Sequence, residues 1–483
     1  MKLIKLPIIV CGEVISPDNL KDEDIDIFEY ETGVKIALPK FKEEYYKRIE
    51  QSSNRDIHDL SIDEIALFIE KVSLRWQNPS YELKEKLVNY VEAITGYCKN
   101  IIQSDVDTII HSMNRPSIYE IIEADLGNAY YLDELIQYKS VYRHAQPRGK
   151  VLHIMVGNVP MAGLFTLIRS IVTKNLTIAK LPKRDVVSVL MFALSFIEEN
   201  KDHPISKSIS VGYWGIDSEL GKKLIDISDA ICCWGKLDTM NNVRKMVGYG
   251  KELVEFGPKR SLSVIGDNAD LEIAAMRLAY DISIYDQEAC FCPLQVFYQG
   301  NHLDKLLKAL SYYLERALKM LPKIYTPKDI GAHVNRIKLE CAYNQEKVIS
   351  GSNNQWNIIV KNEISIHDEH PLSRTLYLYT IKDLKEVEAV INKDVQTIAI
   401  FPFEMYEKIA DSYTFLGASR IVELGLVSKP RIGFTHDGMK PLSRLVNWVS
   451  IEKGAFFRYK YGRYTLDEAN KFLYGGKDHI LEE

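Results

Sequence analysis

Val151-Leu152-His153-Ile154-Met155-Val156-Gly157-Asn158-Val159-Pro160 opens on a mostly apolar run and stops at a glycine. A short apolar run bounded by Gly and Pro reads as a strand buried on both faces. The pattern then repeats. Residues 161–173 read as a helix, 176–181 as a strand ending at Pro182, and 186–199 as a helix. Residues 208–214 follow as a strand, 218–227 as a helix, 230–234 as a strand ending at Gly235, and 239–246 as a helix. Short buried strands alternating with helices build βαβ units on a parallel sheet, and right-handed crossovers make that sheet doubly wound and Rossmann-like. Ligands of such sheets bind beyond the carboxyl ends of the strands. Asn158, Lys180-Leu181-Pro182-Lys183 and Gly235 all fall at those ends.

Outward from this core, the first 140 residues read as mixed and largely helical. Residues 56–76 carry Leu60, Ile62, Ile65, Ala66, Ile69 and Val72 at helical spacing, and Ser61 with Glu64 fits a capping box. Residues 83–98 repeat the pattern. The N-terminal run Leu3-Ile4-Lys5-Leu6-Pro7-Ile8-Ile9-Val10 reads as one early strand. It is broken by Lys5 and Pro7 and has no small-residue cleavage site, so it is not read as a signal peptide. Beyond 255 a second α/β region begins, with strands at 262–265, 294–298, 397–401 and 420–423 and a long helix over 303–321. The expected organisation is an N-terminal segment plus Rossmann-like cofactor domain over 1–255 and a catalytic domain over 256–429. The segment 430–483 returns to the first domain or to an oligomerisation element.

Bulk properties exclude several classes. At 483 residues more than one domain is expected. A hydrophobic content of 46% with 26% charged residues is that of an ordinary globular protein. A net charge of -5 argues against a general nucleic-acid binder. Seven cysteines in no ribbon or framework spacing read as reduced thiols of a cytoplasmic protein. The most apolar window, 151–172, contains His153, Asn158, Pro160 and Arg169, which makes a membrane span unlike it.

The chemistry centres on Cys290, in Tyr285-Asp286-Gln287-Glu288-Ala289-Cys290-Phe291-Cys292-Pro293. Upstream lie Glu255, in Val254-Glu255-Phe256-Gly257-Pro258-Lys259, and Asn158. A thiol nucleophile, a candidate acid or base and an amide donor for an oxyanion are the set that acyl transfer through a thioester needs. Only the thiolate attacks efficiently, so a Cys290 pKa below the free value of roughly 8.5 is expected. No GxGxxG follows a strand, and there is no P-loop, HExxH or GxSxG. His367-Asp368-Glu369-His370 reads as a solvated turn before Pro371, and no metal site is expected. At the strand end, Lys180, Lys183 and Arg184 stand where basic residues accommodate the 2′-phosphate of NADP, against the alternative of solvated charges at a helix start. NADPH is therefore the expected cofactor.

In that order, Asn158 in Gly-Asn-Val-Pro, Lys180 in Ala-Lys-Leu-Pro-Lys, Glu255 in Glu-Phe-Gly-Pro-Lys and Cys290 resemble the aldehyde dehydrogenase superfamily. Within it the chain resembles the LuxC-type fatty acid reductases of bacterial luminescence. The matching stretches are Gly157-Asn158-Val159-Pro160, 203–211, Phe256-Gly257-Pro258-Lys259-Arg260-Ser261, 285–291, His370-Pro371-Leu372-Ser373-Arg374 and His436-Asp437-Gly438-Met439-Lys440-Pro441-Leu442. The resemblance implies NADPH-dependent reduction of a long-chain acyl thioester, acyl-CoA or acyl-protein, to an aldehyde used by luciferase. It implies an acyl-cysteine on Cys290, an oxyanion held by Asn158 and a cofactor contact from Lys180, beside which Gly235 is expected to bind cofactor from its place at a strand end. It also implies partners: an acyl-protein synthetase, a thioesterase or acyltransferase, and further copies of the chain in a multienzyme complex. Two departures stand out. Pro258 replaces a family glycine, and Asp368-Glu369-His370-Pro371-Leu372 replaces the superfamily's Glu-x-x-Gly-Pro ribose motif. The resemblance to the luminescence reductases does not rest on Glu255. Oxidative aldehyde dehydrogenase activity, or a subunit that only carries the acyl group, are the alternatives.

Overall fold

The computed structural model describes residues 3–139, 141–160, 162–365 and 370–452. Its first large sheet has seven strands, in the order Glu252–Phe256, Ala230–Trp234, Lys150–Ile154, Leu176–Lys180, Ile209–Gly212, Ile8–Val10 and Glu13–Ile15. The first five are mutually parallel, and Ile8–Val10 and Glu13–Ile15 add on antiparallel. Ala230–Trp234 and Leu176–Lys180 lie on either side of Lys150–Ile154, so the winding direction reverses between Lys150–Ile154 and Ala230–Trp234. A crevice opens at such a switch point, outside the carboxyl ends of the strands. Ala230–Trp234 is buried at every residue, which is why it reads as an unbroken apolar run.

The second large sheet also has seven strands: Lys347–Ser350, Asn357–Val360, Thr375–Ile381, Pro293–Gln299, Arg260–Ile265, Val395–Phe401 and Arg420–Glu423. All but Lys347–Ser350 run parallel. The chain leaves the first sheet at Phe256 and enters the second at Arg260. That short passage sets the carboxyl edge of the first sheet against the amino edge of the second, and Cys290, just before the strand Pro293–Gln299, lies between them.

Helices cover both layers. The helix Ile62–Gln77 starts at a full capping box, with Glu64 N–H donating to Ser61 Oγ at 3.2 Å and Ser61 N–H to Glu64 Oε2 at 2.8 Å. It packs on the first sheet's helices, and Trp76 Nε1 donates to Ser195 Oγ at 2.9 Å. The expected single helix over 56–76 is two elements, Arg55–His58 and Ile62–Gln77, because the Ser61 cap needs extended backbone. The expected N-terminal strand is likewise two, Leu3–Lys5 in a separate three-stranded sheet and Ile8–Val10 in the first large sheet, since Pro7 has no N–H to continue one ladder. After the second sheet the chain returns. Arg444 pairs with Glu252, Asn175 Nδ2 donates to the Leu445 carbonyl at 3.0 Å, and Val446–Glu452 pairs antiparallel with Val141–Pro147. Among the described residues no helix is long and apolar enough to cross a membrane.

Candidate active site

Cys290 follows a loop with an unusual backbone. After the helix Leu271–Ser283, residues Tyr285, Asp286 and Gln287 take φ values of 47°, 49° and 67°. Left-handed backbone without glycine costs of order 1–3 kcal/mol per residue and persists only where the surroundings over-determine it. Here they do. The Tyr285 hydroxyl bonds the Asp105 carboxylate, and Gln287 Nε2 donates to the Pro293 carbonyl at 2.9 Å. Asp286 accepts from Ser373 N–H at 2.8 Å and from Arg374 Nε at 2.5 Å. Leu372, Ser373 and Arg374 are left-handed too, with φ of 55°, 59° and 58°, so two strained turns lock against each other.

Cys290 itself is half-buried, its carbonyl accepting from Ser261 Oγ at 2.7 Å. Gln396, at the start of Val395–Phe401, donates from Nε2 to Cys290 Sγ at 3.3 Å and to Asp437 Oδ1 at 2.5 Å. Burial pushes the thiol up to about 12, and the Asp437 charge adds to it, against hydrogen bonds from Gln396 and the backbone N–H groups of Cys290 and Phe291. This corrects the expected lowered pKa: the protein by itself holds Cys290 as a thiol. Burial also raises Asp437, opposed by its bond to Gln396 and by Lys259. The loop carrying Asp437 is anchored by His436, whose ring meets Trp234 edge-on at 5.1 Å and Phe256 at 5.0 Å. Burial drives His436 well below its ordinary range, so it is a neutral wedge.

Asn158 reaches the same loop from the other sheet. Its Nδ2 donates to the Glu288 carbonyl at 2.6 Å, and its backbone carbonyl accepts from the Tyr97 hydroxyl at 3.0 Å. Glu288 is held by Tyr97 and by Arg184, the latter at 2.5 Å. Arg184 therefore faces the Cys290 loop. Lys183 is exposed and turned to solvent. Lys180 is largely buried, with Nζ donating to the Leu181 carbonyl at 3.1 Å and lying 5.2 Å from the Tyr213 ring centre. Burial lowers its pKa to about 8, opposed among the described residues by Cys233. Gly235 follows Trp234 and precedes the helix Leu237–Met246. At Gly157 a Cβ would come within 2.9 Å of Arg184 Cβ, so the strand end and the 184–185 turn pack as closely as glycine permits.

The structure thus brings Cys290, Asn158 and Arg184 together around Glu288, while Lys180 and Gly235 stay at the strand ends. Glu255 is not part of that group: its carboxylate is paired with Arg244 at 2.7 Å. Gln396 and Asp437 were missed as site residues. Asp437 lay inside a stretch matched only by resemblance, and nothing in the strand pattern singled out Gln396. Beside the 430–442 loop lies a pocket with apolar walls from Ile121, Phe165, Ile168, Ile432, Phe434 and Leu442. Among the described residues no cluster could hold a metal ion. His367, Asp368 and Glu369 lie outside the described residues, as does everything after 452.

Comparison with known proteins places this geometry. A family model described as acyl-CoA reductase (LuxC) matches residues 57–448. The chain is 33% identical over 482 residues to a long-chain acyl-protein thioester reductase of Vibrio harveyi, covering 97% of this chain and 98% of that protein. It is 32% identical over 453 residues to the protein of that name from Aliivibrio fischeri, covering 93% of each. Among solved structures it resembles an aldehyde dehydrogenase from Brucella melitensis biovar abortus 2308, with a TM-score of 0.74 at 13% identity, over 93% of this chain and 97% of that one. It also resembles an NADP-dependent glyceraldehyde-3-phosphate dehydrogenase from Bacillus halodurans C-125, complexed with NADP. That match has a TM-score of 0.72 at 16% identity, over 93% of this chain and 99% of that one. At such identities the structural likeness is one of fold.

Proposed function

The chain belongs to the acyl-CoA reductase (LuxC) family, and we propose that it reduces a long-chain acyl thioester to the aldehyde through an acyl group carried on Cys290, with NADPH as reductant. The acyl donor is acyl-CoA or an acyl group handed over by a partner protein. The observation that carries this reading is the 2.6 Å bond from Asn158 Nδ2 to the Glu288 carbonyl, which sets an amide donor two residues from the only half-exposed cysteine of the catalytic loop.

In this reading Cys290 Sγ attacks the thioester carbonyl and displaces the donor thiol. The second N–H of the Asn158 amide and the Cys290 backbone N–H hold the carbonyl oxygen as it gains charge. One such donor is worth about 3–4 kcal/mol in other acyl-transfer sites. The nicotinamide cofactor supplies hydride to the acyl carbon when bound. The oxyanion then re-forms a carbonyl, the carbon–sulfur bond breaks, and Cys290 leaves as thiolate with the aldehyde free.

The fit of the cofactor rests on Lys180. A largely buried ammonium at the carboxyl edge of a doubly wound sheet, facing no carboxylate among the described residues, is a charge that a phosphate or ribose hydroxyl would relieve. Lys180, Lys183, the backbone at Gly157 and the helix start after Gly235 would hold it. Glu255, committed to Arg244, takes no step: reduction needs no base to activate water, and this leaves the oxidative alternative without its general base.

The test is NADPH oxidation with tetradecanoyl-CoA by the parent chain and by Cys290→Ala, with aldehyde trapped as product. Turnover in the parent that vanishes in the variant supports the reading. Turnover that survives the substitution removes Cys290 as nucleophile.

A further inference from the structure

Thioester exchange needs a group to take the thiol proton, and Glu255, the acidic residue expected from sequence, is occupied elsewhere. The second sheet offers another. The Gln396 amide nitrogen has two hydrogens; one goes to Cys290 Sγ at 3.3 Å and the other to Asp437 Oδ1 at 2.5 Å. One nitrogen thus holds the sulfur and the carboxylate side by side, at a separation that one water can bridge.

Both ends of this bridge are braced. Gln396 is 8% exposed and sits on the strand Val395–Phe401, where the next residue, Thr397, donates its N–H to Ser261 Oγ at 3.1 Å. The same Ser261 hydroxyl holds the Cys290 carbonyl, so sulfur and amide share one frame. Asp437 is left-handed, φ 51°, in a turn closed by reciprocal hydrogen bonds between His436 and Met439 at 3.0 and 2.9 Å. A left-handed residue fixed by its turn beside a nucleophile is the pattern expected of a functional group. The cations facing Asp437 are Lys259, from the passage between the sheets, and Arg169, from the helix Ala162–Val172; Arg420, from Arg420–Glu423, faces Cys290.

Resting on the proposed function, we infer that Asp437 is the acid–base group of the thioester exchange and Gln396 the residue that positions it. As Cys290 Sγ bonds to the acyl carbon, its proton passes to Asp437. As the carbon–sulfur bond to the donor breaks, Asp437 returns that proton to the departing thiolate, giving the free donor thiol. After reduction, the Cys290 thiolate released with the aldehyde takes up a proton from solvent relayed through Asp437, which ends as the carboxylate it began as.

The experiment uses the full chain and tetradecanoyl-CoA without NADPH. Release of CoA thiol and the mass of the Cys290 peptide report acylation, and the rate of iodoacetamide modification of that peptide at pH 8 reports thiolate content. In Asp437→Asn, acylation falls by about 10²-fold or more. Alkylation of Cys290 instead becomes faster, because an anion beside the sulfur has been removed. Asp437→Glu restores part of the acylation rate, and Gln396→Ala slows acylation while leaving the chain folded by circular dichroism. A merely structural Asp437 would slow both reactions together, and that result overturns the inference. So does acylation unchanged in Asp437→Asn while the parent is acylated at Cys290, an outcome that leaves the proposed function standing. A parent that takes up no acyl group on Cys290 brings down both.

Discussion

Arg374 Nε lies 2.5 Å from Asp286 Oδ1, with the arginine side chain 1% exposed and the aspartate side chain 16%. The guanidinium also donates to the Leu321 carbonyl at 2.8 Å, so it ties the end of the helix Leu303–Met320 to the turn before Cys290. The pair holds two left-handed turns that neither sequence would adopt alone. Removing one member strands a charge with little access to water, which typically costs 3–5 kcal/mol, about the range expected for Arg374→Met. The double variant Arg374→Met with Asp286→Asn should recover part of that loss, since no uncompensated charge remains. Denaturant midpoints of parent, both singles and the double measure it. A double variant as unstable as the sum of the singles would mean the ion pair does not hold the turns.

Asn158 is predicted to act on rate. Replacing it with alanine removes one oxyanion donor and should lower kcat by about 10²–10³-fold. The KM for tetradecanoyl-CoA should change little, because the acyl chain makes its contacts elsewhere. The Asn158 amide also holds the Glu288 carbonyl, so the rate of iodoacetamide modification of Cys290, which forms no oxyanion, provides the control. If kcat stays near the parent value, Asn158 positions the loop and no more.

Two adjacent basic residues are predicted to separate. Lys183 is exposed at the carboxyl edge of the first sheet, whereas Arg184 is drawn into the Glu288 ion pair. Lys183→Glu should shift the ratio of kcat/KM for NADPH over NADH toward NADH. Arg184→Ala should leave that ratio alone and instead slow acylation, because Glu288 and the carbonyl that accepts from Asn158 lose an anchor. A ratio unmoved by Lys183→Glu would place the 2′-phosphate elsewhere.

These contrasts show what could be read in advance. The strands at 150–154, 176–180, 209–212 and 230–234 are short, mostly apolar runs with a Gly or Pro at or just beyond the end, so the doubly wound order was legible from local pattern. Cys290 and Asn158 stood out for their surroundings. The rest of the group did not, because it comes from three distant stretches: Tyr97, Gln396 and Asp437. Lys183-Arg184 reads as one basic patch, and only the fold sends the two side chains in different directions. Glu255 looked like a base because an acid near a strand end is unremarkable to a sequence reader; its partner Arg244 sits on the preceding helix, Leu237–Met246.

Asp281 provides a pH-dependent stability. It is fully buried on the helix Leu271–Ser283, and Oδ2 accepts from Gly425 N–H at 2.7 Å. Burial raises its pKa to about 7, opposed by the Gly425 and Val427 N–H groups and by Arg420 and Arg277. The unfolded chain ionises this group near 3.8, the ordinary value of an aspartate. Between about pH 4 and about pH 7 the folded state therefore holds a proton that the unfolded state has lost. Stability falls through that window as pH rises, by at most about 1.4 kcal/mol per pH unit, and is flat above it with respect to this residue. Asp281→Asn keeps an acceptor for Gly425 and cannot ionise. Its stability relative to the parent should be lower near pH 4.5, where the parent has lost only the first part of this contribution, than at pH 8, where the parent has lost all of it. Urea midpoints of parent and variant at the two pH values give the comparison, in which the titration of all other groups cancels. A difference between them that does not change with pH would mean that Asp281 is ionised in the folded protein throughout, and that Arg277 and Arg420, both facing it, outweigh its burial.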